Sequence, residues 1–151
     1  MKKGDILKFG NHKIRGLKNN CYFYCKELVD DEPMFVRCII TQSGEILISS
    51  DFVDISSYKK DLVPTTVEEF VEHKYDFINN TVIDFVSKEY NNGIIRNINK
   101  HNGTLTVEVE NEDTAEYDNI IIKFDDVILV YPEFTQNERR KFKPLLFKEK
   151  V

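Results

Sequence analysis

A mainly β fold with minor α content, two small β-rich units joined by one amphipathic helix, is what this sequence predicts. Three features carry the prediction. Short runs of β-branched and aromatic residues alternate with turn residues along most of the 151 positions. One stretch, following Pro64, has the three-and-four spacing of apolar residues that makes a helix face. The text "GEILISSDFVDIS" at residues 44–56 also has an echo, at an offset of 74, in "NIIIKFDDVILV" at residues 119–130.

The first unit is expected over residues 1–60. "KGDILKF" opens it as a strand, with Ile6 and Lys8 on one face and Leu7 and Phe9 on the other. A loop with Gly10, Gly16 and several Lys and Asn follows. "CYFYCKEL" and "MFVRCII" read as a hairpin about the turn "DDEP", Asp30 to Pro33. "SGE" then turns the chain into "ILIS", and "DFVDI" is expected to close the unit.

The bridging helix is expected within residues 61–81. Val67, Phe70, Val71, Tyr75 and Ile78 line one face, with Glu68, Glu69, Glu72 and Asp76 between them. Thr65 with Glu68, or Thr66 with Glu69, supplies a capping box, and Asn79 and Asn80 suit a stop.

The second unit is expected over residues 82–132, followed by a basic tail over residues 133–151. "TVIDFVSKEYNNGIIRNI" gives a strand, a glycine turn and a strand. Asn102-Gly103, between two β-rich runs, is the strongest short hairpin signal in the chain. In "LTVEVE", Leu105, Val107 and Val109 face a core while Thr106, Glu108 and Glu110 face water. The echo matches Ile46 with Ile120, Ile48 with Ile122, Asp51 with Asp125 and Val53 with Val127. Together with the preserved order of hairpin, turn and Ile-rich strand, it points to an internal duplication.

Size and charge narrow the function. A unit of about 60 residues buries only about 60% of its unfolded surface, so two such units are expected to lean on each other. The net charge of −5 is segregated: residues 1–20 carry +5, residues 132–151 carry +3, and the middle carries −13. Basic ends suit a polyanion, and an acidic middle does not. No apolar run approaches the roughly 20 residues of a membrane span, and "MKKGDILKFGNHK" lacks a signal peptide's apolar stretch, so a soluble, cytoplasmic protein without membrane contact is expected.

The residues "KGDILKF" with "MFVRCIITQSGEILISSDFVDI", and "NNGIIRNINKHNGTLTVEVEN" in the second half, resemble the SH3-like small β-barrels that include the KOW and Tudor modules. The resemblance covers most of residues 3–57 and 82–131. It implies two SH3-like barrels joined by the helix, and binding of nucleic acid or protein through loops and edge strands. The second half departs from the KOW pattern in lacking Lys/Arg-rich text around its glycine, which counts against nucleic-acid binding by that barrel. Size and residue usage also look like the small early DNA-binding proteins of large bacteriophages, the MotB type.

Chemistry-bearing residues are sparse. Cys21 and Cys25, four apart on a strand, are separated by about 13 Å, too far for a disulfide, and buried thiols are expected rather than a metal site completed by Cys38 and a His. His12, His73 and His101 are scattered, and neither H-E-x-x-H nor a phosphate-binding glycine loop occurs, so no enzyme, cofactor or metal is expected. Tyr22 and Tyr24 share a strand face, where they either stack bases as an aromatic platform or pack against the helix or the other lobe. The acidic stretch with Glu110, Glu112, Asp113, Glu116 and Asp118 lacks the EF-hand spacing.

The expected function is a non-enzymatic binding module that holds DNA or RNA weakly and without sequence preference. The expected contacts are Lys2, Lys3, Lys8, Lys13, Arg15 and Lys18 near the start, with Arg139, Arg140, Lys141 and Lys143 near the end. The alternative is an adaptor or inhibitor, phage-encoded, that meets a host protein through a sheet edge or an acidic surface imitating nucleic acid.

Overall fold

Tight turns with left-handed backbone set the strand boundaries. Asp30 and Asp31 (φ 51° and 65°) make the two-residue connection between β2 (Tyr22–Val29) and β3 (Glu32–Ile40). Positive φ at both positions matches the twist of an antiparallel hairpin, and Asp tolerates it. Gly44 (φ 91°) lies between β3 and β4 (Ile46–Val53), and Gly103 (φ 67°) between β7 (Asn92–Asn99) and β8 (Thr104–Asn111). The computed structural model describes residues 1–10, 20–57, 59–132 and 140–145.

Those residues form two antiparallel sheets. The first has the order β11-β4-β3-β2-β1-β5, with β1 at Ile6–Phe9, β5 at Leu62–Thr65 and β11 at Phe142–Pro144. The second has the order β10-β6-β7-β8-β9, with β6 at Val82–Phe85, β9 at Glu116–Lys123 and β10 at Val127–Val130. The mainly β class is as expected, and the two units share one connectivity. In each, four successive strands pair as a meander, a 3₁₀ turn follows (Lys59–Asp61 or Phe124–Asp126), and the next strand returns to pair with the first. Among the described residues, no strand pairing closes either sheet into a barrel.

Four expectations are corrected in detail. "DFVDI" does not close the first unit: Asp51 to Val53 end β4, and the closing strand is β5, which lies past residue 60 and pairs Ile6 with Thr65 and Phe9 with Leu62. Pro64 is tolerated there because β5 is an edge strand. The echo consequently joins unlike elements beyond its first residues, since Asp51 and Val53 belong to β4 while Asp125 lies in the 3₁₀ turn and Val127 begins β10.

The helix, α1, spans only Val67–Glu72. Thr66 caps it by accepting a hydrogen bond from the Glu69 N–H at 3.1 Å, and the chain leaves the helix at His73. Beyond the helix, Phe77 packs in the second core, edge-on against Phe124 with ring centroids 5.0 Å apart. The fourth correction concerns the tail, whose residues 142–144 join the first sheet beside β4, pairing Phe142 with Ser49 and Lys143 with Ile48.

Each sheet has its own core. Ile83, Phe85, Ile95, Leu105, Val107 and Val109 are among the buried residues of the second unit, and the predicted alternation of β8 is observed. In the first, Leu7, Phe9, Phe23, Cys25 and Phe35 fill one face of the sheet, and Ile6, Tyr24, Val36, Cys38 and Ile48 the other. Register shifts between Cys25 and Glu27, between Val36 and Cys38, and between Ile95 and Asn97 bend the long strands about these cores. A third cluster of Ile39, Leu47, Leu129, Tyr131 and Phe142, with Val82 against it, joins the two sheets.

Candidate functional site

β11 and the turn before it combine a buried anchor with exposed charge. Phe142 is buried in the cluster between the sheets, while Arg140, Lys141 and Lys143 are exposed. Arg37, in the middle strand β3, lays its guanidinium 5.7 Å from the Phe142 ring centroid. Arg37, absent from the expected contacts, is thus the cation that meets the Phe142 ring, while Lys143 lies on the other face of β11. A lone Arg in the apolar run "MFVRCII" was the only signal for Arg37.

The other expected contacts are distributed differently. Lys2 and Lys3 are exposed ahead of β1, four strand positions from β11, or about 19 Å across a flat sheet. Lys8 is engaged within the protein, in an ion pair with Glu69 of α1, so it is not a free phosphate contact. The same carboxylate accepts from the Thr65 hydroxyl at 2.8 Å. The Lys8 hydrogen bond, reinforced by that from Thr65, holds the Glu69 carboxyl below the usual glutamate range. Lys13, Arg15, Lys18 and Arg139 lie outside the described residues.

Tyr22 and Tyr24 do share a face, but it is a covered one. Tyr24 is 7% exposed and packs with Val36 and Ile48, so it offers no ring to a base. Tyr22 is half-buried and meets Phe70 of α1 edge-on, with ring centroids 6.0 Å apart. Burial pushes its phenol pKa well above the ordinary value. The packing alternative for this pair is the one realised.

A cleft of about 700 Å³ opens between β1, β2 and α1, lined by Lys8, Cys21, Tyr22, Phe70, His73 and Phe77 among others. Lys8 and Glu69 neutralise each other at its wall, and His73 Nδ1 lies 3.5 Å from Asp76 Oδ2. Cys38 is buried on the far side of the sheet from Phe23, and burial raises its thiol pKa. Among the described residues, no three His, Cys, Asp or Glu side chains are grouped to hold a metal ion. No helix there is long and apolar enough to cross a membrane.

The acidic stretch forms the β8–β9 hairpin. Glu108 receives Arg96 Nη2 at 2.9 Å, while Glu110, Glu112, Asp113, Glu116 and Asp118 are exposed. Comparison with protein-family models, with curated proteins and with solved structures found no match.

Proposed function

We propose that the protein is a non-enzymatic binding module that holds the nucleic-acid backbone weakly and without base preference through the β11 surface. The carrying observation is the anchoring of β11: Phe142 is buried, while Lys143 of the same strand and Arg140 and Lys141 just ahead of it are exposed. Cations held on or next to a docked strand lose less conformational freedom on meeting phosphates than cations on a loose tail. Lys2 and Lys3, with Lys13, Arg15, Lys18 and Arg139, extend the same basic character along the chain.

The shared connectivity of the two sheets supports the SH3-like reading of both units, KOW or Tudor in type, and with it a binding rather than a catalytic role. An origin by internal duplication belongs to the same reading.

The test is fluorescence anisotropy with a labelled single strand and a labelled duplex across a salt series. Binding should weaken steeply with salt, and replacing Arg140, Lys141 and Lys143 together by Ala should lower the log–log salt slope by about 2 to 3, at about 0.7 to 0.9 per phosphate contact. Absence of binding at low salt, or an unchanged slope in the triple variant, overturns the proposal.

A further inference from the structure

A sheet edge carries a row of unsatisfied backbone donors and acceptors, and among the described residues three of the four sheet edges are blunted. β11 has three residues and ends in Pro144; β5 has four and contains Pro64. β10 has four, and the Gln42 N–H donates to its Ile128 carbonyl at 2.9 Å.

β9 is different. It runs for eight residues, pairs with β8 along its whole length without a register shift, and contains no proline. Tyr117 and Ile121, 67% and 73% exposed, stand on one face with Asn119 between them. Glu116 and Asp118 are exposed on the other face, Asp118 accepting from the Tyr90 hydroxyl at 3.4 Å, and Glu110 lies across from Tyr117.

We propose that β9 is a docking edge for an extended segment of another protein that carries Lys or Arg beside apolar residues. Charge selects this occupant. Glu108 is paired with Arg96 and Lys123 ends the strand, but Glu110, Glu112, Asp113, Glu116 and Asp118 are exposed carboxylates, so the edge is net negative: two copies repel each other while a basic segment is attracted. Main-chain hydrogen bonds supply the pairing, and alternate side chains supply the choice.

The faces of β9 specify the segment further. An apolar residue beside Tyr117 needs a basic neighbour on each side, to face Glu116 and Asp118, and a second apolar residue four positions away, to cover Ile121. The inference is independent of the nucleic-acid reading, because β9 and β11 belong to different sheets.

The probe is a labelled peptide, Lys-Ile-Lys-Thr-Lys-Ile-Lys, titrated with the full chain by anisotropy. Binding is expected, with slowed amide hydrogen exchange in β9 and about tenfold weaker affinity for the Ile121→Lys variant. Ile121 is exposed, so this substitution leaves the core untouched. Four results overturn the proposal. They are no binding, equal binding of the peptide with Glu in place of Lys, equal binding with Ser in place of Ile, and self-association of the chain that Ile121→Lys abolishes.

Discussion

The Asn20 side chain reaches across the molecule to Val130, its Nδ2 lying 2.7 Å from that residue's carbonyl oxygen, 110 positions along the chain. The same amide donates to the Ile40 carbonyl at 2.9 Å, and its Oδ1 accepts from the Ile40 N–H. Asn20 is buried, and its φ of 47° lies in the left-handed region that Asn tolerates well. One side chain thus ties an end of β3 to an end of β10.

Asn20→Gly keeps the backbone geometry and removes the tie, leaving buried partners unsatisfied. A loss of about 3 kcal/mol in urea unfolding is expected. Asn20→Ala should cost about 1 kcal/mol more, for the left-handed backbone.

Gly93 in β7 lies against β8 so closely that an added Cβ would sit 2.5 Å from Val107 Cγ1 and 2.6 Å from the Glu108 carbonyl oxygen. Relief requires the β7–β8 backbone to shift. Gly93→Ala is expected to destabilise by about 2 to 3 kcal/mol, read as a lower thermal midpoint.

Glu69 makes stability sensitive to acid. Its folded pKa is depressed, so its contribution is fully present above the unfolded value of about 4.3 and is lost as pH falls through the lower folded value. Urea midpoints followed as the pH is lowered from about 6 through the carboxylate range should fall more for the natural chain than for Glu69→Gln. Equal falls would show that the Lys8 and Thr65 contacts add nothing.

Phe142 and its charged neighbours should separate cleanly. Phe142→Ala empties a buried site between the sheets, and a loss of about 3 to 4 kcal/mol is expected. Replacement of the exposed Arg140, Lys141 and Lys143 by Ala should change stability by less than about 0.5 kcal/mol per residue. Both are read by urea unfolding, and the triple variant is the one carried into the salt series.

Local signals made most of the strands legible. The Asp30 and Asn102-Gly103 turns, and the alternation from Leu105 to Glu110, depend on neighbours within a few residues, and each fell where the sequence placed it. What failed to show depends on partners far along the chain. "LVPT" becomes a strand only because β1 lies beside it, and "FKP" only because β4 does. The run continuing to Ile78 keeps helical spacing past His73, yet Phe77 is claimed by the second core. Alternation also separated Tyr22 and Tyr24 from Phe23 correctly, but it could not tell that both faces of β2 are covered. The exposed edge at β9 is likewise a property of pairing order, which no stretch of sequence states by itself.

The return of β11 to the first sheet has a consequence for synthesis. The strand that covers the outer side of β4 is translated only after the entire second sheet. While the chain emerges from the ribosome, β4 waits with a bare flank through roughly 90 further residues, about 5 to 18 seconds at ordinary elongation rates. The second unit, with its ends at Val82 and Val130 joined by β6–β10 pairing, is contiguous and has no such wait. The half of the molecule made first is therefore the half finished last.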